Sequence, residues 1–458
     1  MIKTILAAFT DSFFVRNFLR SGVLSLVLND EGVRLILLAP ADKIPYYRGE
    51  FQHPRLIFDE LPEIEELPFE KFFTHLEISS IHTNTARMLA ASDFARAEGK
   101  KSFIRRFVRF KTKQTLWHLG RFFWWRSLIR RLYFVVPSNT FGSFFKKYHP
   151  DLVYCPSMLG GDFRLLKEAR KAGLKTLGMM LSWDNLYSKT FLRAHPDWLL
   201  AHTGIIKAQA IAFGDYPEKR ITVTGISQYD RFFNRSGIIA RDEFIKSIGG
   251  DPAKKLIAYA FSGKVGLALE NEAVRMLSKM IDDGKINGAQ LMVRPHPRYS
   301  FSENKQEAIR LRYHGLASRT MNIVGDSKDN WEFDEDALKL LSNTLAHADI
   351  VISMYSTFFI EAAIFNKPLI AIGFDPGGDL SYWVSAKRFF SWDHLREIGE
   401  LGGIWCVNSP EELLTAVNFY LENPNHLEEG RRKIVLRQTQ FTDGCSSKRV
   451  AKAILKLL

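Results

Sequence analysis

Residues 348–375 constrain the fold of this chain more than any other stretch. Segments 349–353 and 369–374 are short apolar runs rich in β-branched residues, a pattern that indicates buried strands. Between them, residues 358–365 carry apolar side chains at helical spacing, and Pro368 follows the end of this pattern. A strand, a helix and a second strand in succession predict a βαβ unit, whose chemistry is expected at the carboxyl end of its first strand.

Two hydroxyl side chains, Ser356 and Thr357, stand at that strand end and open the predicted helix. Free backbone N–H groups and the positive end of a helix favour a phosphate group at this position. The alternative is that Ser356 only caps an ordinary helix.

Strands alternate with helices along most of the chain, over residues 3–223 and again over 256–407. A polar, glycine-containing break at residues 229–251 separates the two series. The pattern predicts the α/β class, with two doubly wound domains whose parallel sheets face a central cleft. We expect the first domain over residues 1–235 and the second over 236–458.

The composition is that of an ordinary globular protein, with 46% hydrophobic and 25% charged residues. No run approaches the ~18 apolar residues that a membrane-spanning helix needs, and the amino terminus resembles a first strand rather than a secretory signal. Cys155, Cys406 and Cys445 have no spacing typical of a disulfide framework or a metal site. These features predict a protein of the reducing cytoplasm.

The net charge of +13 is unevenly spread. Between Glu98 and Asp151 there is no acidic residue, and residues 100–136 mix arginine and lysine with bulky aromatic side chains. We interpret this segment as an insertion that binds an anionic membrane surface, where aromatic rings lie at headgroup depth and each cation adds roughly 1 kcal/mol. The alternatives are a solvated basic face over a buried aromatic one, and a less favoured nucleic-acid surface.

A histidine flanked by prolines follows another predicted strand. Pro295 and Pro297 bar a helix and hold His296 at the carboxyl end of the strand, between Arg294 and Arg298. An imidazole and two guanidinium groups suit the binding of a diphosphate and the charge on a leaving phosphate. The alternative is an ordinary loop histidine.

Several further polar residues follow predicted strands. Asp184 is the leading candidate for a general base that takes a proton from an acceptor hydroxyl, although an Asx turn would also explain it. The other candidates are the turn residues Ser262 and Gly263 on the donor side, and Asp11, Trp183, Asn185 and Asp230 on the acceptor side. The acidic cluster at 332–336 precedes a predicted helix, so capping is favoured over metal binding.

The motifs together resemble a known family. His296-Pro297, the segment DIVISMYSTFFIE at 349–361 and Asn366-Lys367-Pro368 are similar to the CDP-glycerol glycerophosphotransferases of teichoic acid synthesis. Their wider relatives are GT-B glycosyltransferases of bacterial surface polysaccharides, including enzymes that use CMP-linked sugars. The segments LSWDNL at 181–186 and VTGISQYD at 223–230 are similar to parts of surface-carbohydrate transferases.

The resemblance implies roles for individual residues. His296 would contact the donor phosphates, and Ser356 and Thr357 would bind the nucleotide phosphates, with Tyr355 and Glu361 in the same motif. Glu361 stands where the glycerophosphotransferases usually carry an aspartate, and Thr357 where they carry a second serine. These two departures put the identity of the donor, CDP-glycerol, in question more than they affect the expected fold.

The sequence therefore predicts a GT-B glycosyltransferase. It would move a sugar or sugar-like group from a nucleotide donor, with cytidine preferred, to a lipid-linked or polysaccharide acceptor in bacterial surface glycan synthesis. We expect no cofactor and no metal, and a peripheral location at the inner membrane through residues 100–136. The alternatives are a UDP-sugar 2-epimerase of the same fold and a non-catalytic membrane or nucleic-acid adaptor.

Overall fold

The computed structural model describes residues 2–9, 13–62, 67–97, 102–262, 267–294, 322–323 and 331–458. The chain divides into two compact units. Unit 1 contains the described residues up to Asp230 together with Thr439–Leu458, and unit 2 contains the described residues from Arg231 to Gln438. The second domain was predicted to run to residue 458, whereas the structure groups the last helix with unit 1.

Unit 1 is built on a parallel sheet of seven strands in the order β3-β2-β1-β4-β5-β6-β7. Alternate residues of each inner strand are buried against helices on the two faces, which is why these strands are continuously apolar. The strands are β1 (Lys3–Ala8), β2 (Val33–Ala39), β3 (Leu56–Glu60), β4 (Leu152–Cys155), β5 (Lys175–Met179), β6 (Trp198–Ala201) and β7 (Ile221–Val223).

Helices cover both faces of this sheet. α1, α2 and the C-terminal helix (Ser446–Leu455) pack on one face, and α3, α6, α7, α8 and α9 pack on the other. The numbered helices of unit 1 are α1 (Val23–Leu28), α2 (Ile44–Glu50), α3 (Pro68–Ser79), α4 (Asn84–Arg96), α5 (Phe103–Leu119), α6 (Phe123–Val135), α7 (Gly142–Tyr148), α8 (Asp162–Lys171) and α9 (Gly204–Ala212).

Two long helices predicted in this unit are interrupted. The pattern over residues 12–28 predicts one helix, but Gly22 adopts a φ of +86° and separates a π-helical turn, Val15–Leu19, from α1. The pattern over residues 68–100 likewise predicts one helix. Instead the hydroxyl oxygen of Thr83 accepts a hydrogen bond from the Ala86 N–H (3.1 Å) and starts α4 as a separate helix.

Unit 2 contains a parallel sheet of five strands in the order β14-β13-β12-β8-β9, and a separate antiparallel pair, β10-β11. The pattern at residues 321–324 predicts a further strand of the parallel series, but the two of these residues that the structure describes pair antiparallel with β11. The strands are β8 (Lys255–Ala260), β9 (Ala289–Arg294), β10 (Asn322–Ile323), β11 (Trp331–Glu332), β12 (Ile350–Ser353), β13 (Leu369–Ile372) and β14 (Trp405–Val407).

The helices of unit 2 confirm one prediction about the acidic cluster. The carboxylate of Asp334 accepts a hydrogen bond from the Ala337 N–H (2.7 Å), so this residue caps a helix as expected. The helices are α10 (Asp230–Phe233), α11 (Arg241–Ser247), α12 (Leu267–Asp282), α13 (Glu335–His347), α14 (Phe358–Ile364), α15 (Asp393–Gly399), α16 (Pro410–Glu422) and α17 (Glu428–Thr439).

Candidate functional site

The candidate site lies at the carboxyl edge of the parallel sheet in unit 2. In the βαβ unit predicted at residues 348–375, β12 leads into α14 and β13 follows, as predicted. β12 lies between β8 and β13, and the Ser353 hydroxyl donates a hydrogen bond to the Ala260 carbonyl (2.7 Å), which ties the ends of β12 and β8 together. The loops that leave these strands form the edge at which ligands of α/β sheets bind.

The loop after β12 presents the two hydroxyls. Ser356 is half-buried and Thr357 is exposed. The Ser356 oxygen accepts a hydrogen bond from the Phe358 N–H (3.1 Å), so this serine does hold the start of α14. Its own O–H has no acceptor within the described part of the chain, and the Thr357 side chain makes no capping bond. Both hydroxyls can therefore still donate to a ligand.

The neighbouring tyrosine has a packing role. The ring centroid of Tyr355 lies 3.9 Å from that of Phe389 and 5.4 Å from that of Trp392. These contacts fix the backbone of the loop that carries Ser356 and Thr357. Glu361, the fourth residue of α14, is buried with 5% exposure.

A cation from a different strand lies beside this loop. Arg294 ends β9 and is buried, with 6% exposure. Its guanidinium carbon lies 5.9 Å from the ring centroid of Phe358, the residue that follows Thr357. The structure therefore places the Arg294 guanidinium beside the side chain of Phe358, the first residue of α14, across the end of β8.

The turn after β8 is held by a residue that the sequence analysis missed. Both the N–H (2.7 Å) and the hydroxyl of Ser262 donate to the buried carboxyl group of Glu270 on α12. Because both donors of Ser262 are used, this residue fixes the turn. An acidic residue eight positions after the predicted turn serine was the available signal.

Four predicted residues lie outside the described part of the chain: His296, Arg298, Gly263 and Asp11. Their roles stay predictions.

Three of the candidates predicted in unit 1, Trp183, Asp184 and Asn185, follow β5. The carboxylate of Asp184 pairs with the Lys189 ammonium at 2.9 Å, and the Asp184 carbonyl accepts from the Tyr187 N–H (3.1 Å) at the start of a π-helical turn. Trp183 is half-buried beside it. Asn185 is fully buried and donates from Nδ2 to the Ser157 carbonyl (3.3 Å), which joins the loops after β5 and β4.

The loop after β4 is organised by Asp162, which sequence reasoning did not single out. Its buried carboxylate accepts from the Ser157 N–H (2.7 Å), the Ser157 hydroxyl (2.9 Å) and the Met158 N–H (3.0 Å). Met158 adopts a φ of +51° in this loop. A glycine pair followed by an acidic residue at a strand end was the signal that could have indicated it.

Asp230 has a structural contact that its sequence context did not suggest. Its two carboxylate oxygens accept hydrogen bonds from the Ser446 N–H (2.9 Å) and the Ser447 N–H (2.7 Å), at the start of the C-terminal helix. The residue is buried, with 7% exposure. Asp230 therefore anchors the end of the chain to unit 1.

The family model for CDP-Glycerol:Poly(glycerophosphate) glycerophosphotransferase matches residues 212–456, more than half of the chain. The chain belongs to this family. In this glycerophosphotransferase family member the match includes Arg294 and the Ser356–Thr357 loop, and residues 100–136 precede it. No curated protein sequence matches the chain.

Solved structures are similar to this chain over its whole length. The S. aureus MnaA-UDP co-structure has a TM-score of 0.56 at 12% identity, over 100% of this chain and 98% of that chain. UDP-GlcNAc 2-epimerase from Neisseria meningitidis, bound to UDP-GlcNAc, has a TM-score of 0.53 at 12% identity, over 100% of both chains. The wall teichoic acid polymerase TagF, soaked with CDPG, has a TM-score of 0.50 at 12% identity, over 99% of this chain and 88% of that chain. These likenesses confirm the predicted GT-B fold, with two Rossmann-like units.

The described residues also bear on metal binding and on membrane spans. Across the residues that the structure places, no group of three or more histidine, cysteine, aspartate or glutamate side chains is arranged to hold a metal ion. Among the helices so described, none combines the length and the apolar character needed to cross a bilayer.

Proposed function

We propose that this protein transfers a glycerophosphate, sugar or sugar-like group from a nucleotide donor, with cytidine preferred, to a lipid-linked or polysaccharide acceptor of a bacterial surface glycan. The observation that carries the proposal is the family match over residues 212–456, which contains the whole carboxyl edge of the unit 2 sheet. The solved structures support the fold alone, so they do not favour an epimerase over a transferase.

The edge of unit 2 supplies groups suited to a nucleotide phosphate. Ser356 and Thr357 each offer an O–H, and Arg294 places a positive charge beside the first residue of α14. Hydrogen bonds from a guanidinium to phosphate are about twice as strong as neutral ones. In our proposal these groups bind the donor phosphates, and His296 and Arg298 complete the site.

The reaction joins the acceptor to the transferred group. The acceptor oxygen forms a bond to the phosphorus of glycerophosphate, or to the anomeric carbon of a sugar. The bond from that atom to the oxygen of the nucleotide phosphate breaks, and the nucleotide leaves with the electron pair. Arg294 would offset the charge on this leaving phosphate. The acceptor proton passes to a base, for which Asp184 stays our candidate, held in place by its ion pair with Lys189.

Calorimetric titration with CMP, CDP and UDP tests the donor site. Ser356→Ala removes a hydroxyl from the proposed site and a bond to the start of α14. Ser409→Ala is the matched control, because Ser409 caps α16 in the same unit by accepting from the Glu412 N–H (3.1 Å). One hydrogen bond to a charged group contributes roughly 1.5–3 kcal/mol, so we expect Ser356→Ala to weaken nucleotide binding at least about tenfold. The control should bind like the wild type.

Other outcomes would point elsewhere. If no nucleotide binds the wild type, or both serine variants weaken binding equally, the proposed site is wrong. Turnover of a UDP-sugar with no acceptor present would indicate the epimerase. An unchanged biological output of His296→Ala would favour the adaptor.

A further inference from the structure

A loop outside the proposed phosphate site exposes aromatic side chains at the carboxyl edge of the unit 2 sheet. The aromatic loop, residues 373–385, leads from β13 to a 3₁₀ helix (Ala386–Ser391). Leu380, Tyr382 and Trp383 in this loop are 44%, 43% and 42% exposed. Large apolar side chains grouped on one exposed loop mark a surface that meets a ligand or a partner.

A buried carboxylate holds the aromatic loop in place. Asp375 is 7% exposed, and its carboxylate accepts hydrogen bonds from the Ala386 N–H (2.7 Å) and the Leu380 N–H (3.2 Å). At the surface, the Lys387 ammonium pairs with the Asp379 carboxylate at 2.8 Å. Because these bonds join the middle of the loop to both of its ends, the rings are held before a ligand arrives, which reduces the entropy lost on binding.

The two rings of the aromatic loop support each other. The ring centroids of Tyr382 and Trp383 lie 5.3 Å apart and their planes are inclined at 76°, an edge-to-face arrangement. The Tyr382 hydroxyl is hydrogen-bonded to the Ser391 hydroxyl (2.9 Å), which ties this ring to the 3₁₀ helix. An edge-to-face contact occupies one face of one ring, so the pair keeps an aromatic face open to solvent.

The aromatic loop and the loop that carries Ser356 contact the same 3₁₀ helix. The ring centroid of Tyr355, the residue before Ser356, lies 3.9 Å from that of Phe389, and Tyr382 bonds to Ser391 two residues later. β12 and β13 are also neighbours in the parallel sheet, so their loops leave at the same edge. The aromatic rings therefore belong to the edge at which we place the donor phosphates.

The aromatic loop also extends toward α12. Gly377 packs against Glu272 of this helix, where a Cβ atom on residue 377 would lie 3.4 Å from the Glu272 Cγ. α12 follows β8, and β12 lies between β8 and β13 in the sheet. The loop therefore reaches past the carboxyl end of β12, from which the Ser356 loop arises. A group joined to a phosphate at Ser356 has the aromatic loop beside it.

We propose that the aromatic loop is a subsite of the donor site, in which a ring with an apolar face stacks on Trp383 and Tyr382 supports the indole. The inference rests on the proposed function, because it needs a nucleotide donor whose phosphates lie at Ser356. Two parts of a nucleotide sugar have such a ring: the base, whose π face stacks on aromatic side chains, and the transferred sugar, whose C–H groups form an apolar face. Glycerol has no ring, so a subsite filled by the transferred group would select a sugar over glycerol.

Calorimetric titration of the full chain with CDP, CDP-glycerol, CDP-glucose and inorganic pyrophosphate tests the subsite. We expect Trp383→Ala to weaken nucleotide binding about tenfold, the usual effect of removing an aromatic ring from a stacked base, and to leave pyrophosphate binding unchanged. An equal loss for all three nucleotides assigns the stacked ring to the base. A loss for CDP-glucose alone assigns it to the transferred sugar.

Two variants serve as controls. Trp383→Phe keeps an aromatic face and should bind more tightly than Trp383→Ala. Phe419→Ala removes a ring that is 38% exposed in the same unit. Phe419 packs on Trp405, the first residue of β14, at 5.6 Å between ring centroids, so it lies at the amino edge of the sheet. This variant should bind every ligand like the wild type, with circular dichroism as the check on folding.

Two results would overturn this inference and leave the proposed function standing. One is wild-type affinity of Trp383→Ala for all three nucleotides. The other is an equal loss of pyrophosphate affinity in that variant, because the loop would then only shape the phosphate site. If no nucleotide binds the wild type, the proposed function fails as well, so the two failures are distinguishable.

Discussion

Replacement of Asp230 by alanine distinguishes a structural role for this residue from the acceptor-side role that its sequence context suggested. Its carboxylate accepts hydrogen bonds from the Ser446 N–H (2.9 Å) and the Ser447 N–H (2.7 Å), and the residue is 7% exposed. Alanine would leave two backbone donors at the start of the C-terminal helix without an acceptor. We therefore expect the helix to open more often from the unit 1 sheet.

The size of the effect follows from the two bonds. A hydrogen bond to an ionised group contributes roughly 1.5–3 kcal/mol, and a buried N–H without an acceptor costs roughly 1–3 kcal/mol. Loss of a capping aspartate usually costs about 0.5–2 kcal/mol. Because both donors belong to buried serines, we expect a loss above that range, about 3 kcal/mol, or roughly 150-fold in the opening equilibrium.

Hydrogen exchange measured by mass spectrometry on the C-terminal helix is the appropriate assay, because it reports the opening of one segment. Asp230→Asn should lose less protection than the alanine variant, since an amide keeps one acceptor oxygen. Asp443→Ala is the matched control. Asp443 pairs with Arg449 just before the same helix, but its side chain is 50% exposed, so its loss should cost less than about 1 kcal/mol.

One result would refute the assignment of Asp230 as an anchor. If Asp230→Ala kept full protection of the C-terminal helix and yet abolished transfer to the acceptor, the residue would belong to the reaction. Loss of protection with a parallel loss of activity would instead follow from unfolding of the helix.

Two further predictions concern the stability of unit 1. Burial lowers the pKa of His202 to about 4, below the ~6.5 of an unfolded chain, so the unfolded state binds more protons and stability falls as the pH drops from about 6.5 to 4. His202→Gln should therefore remove up to about 3 kcal/mol of this acid-induced loss of unfolding free energy. Urea unfolding of the wild type and the variant at pH 7 and pH 4.5 measures the difference, and identical pH dependence in the two proteins would contradict the expectation. Burial alone would raise the pKa of Asp215, but hydrogen bonds from Arg126 and Arg130 lower it. Because these bonds hold a buried carboxylate, Asp215→Asn should lower the free energy of unfolding by about 3 kcal/mol and expose α6 to hydrogen exchange. Unchanged exchange in α6 would contradict this expectation.

Local patterns were enough for the elements that surround the candidate site. The predicted strand at 349–353 and the helix at 358–365 match β12 and α14 within one residue at each end. The strand is a short apolar run, and the helix has a clear end, because Asn366 adopts a φ of +53° and Pro368 follows it. Where a single glycine interrupts a continuous pattern, as Gly22 does, the same reasoning merged two elements into one.

Contacts between distant residues could not be predicted in this way. Asp230 meets Ser446 across 216 positions, and no periodicity links the two. The cations of residues 100–136 form one run in the sequence, but their environments differ. Some of them, such as Arg126, pair with Asp215, which lies 89 positions later, and others are exposed to solvent. Arg294 lies beside α14 only because the strand order is β12-β8-β9, which the order of the chain does not determine.

The carboxyl edge of the unit 2 sheet is not uniform, and this bears on where an anion would bind. At the end of β8, the N–H and O–H of Ser262 are both directed to the carboxyl group of Glu270, so that turn offers a phosphate no donor from this serine. At the end of β12, the hydroxyls of Ser356 and Thr357 keep their O–H groups, and the buried cation of Arg294 lies beside the same helix start. A phosphate needs donors and positive charge together, and the described residues combine them on the Ser356 side.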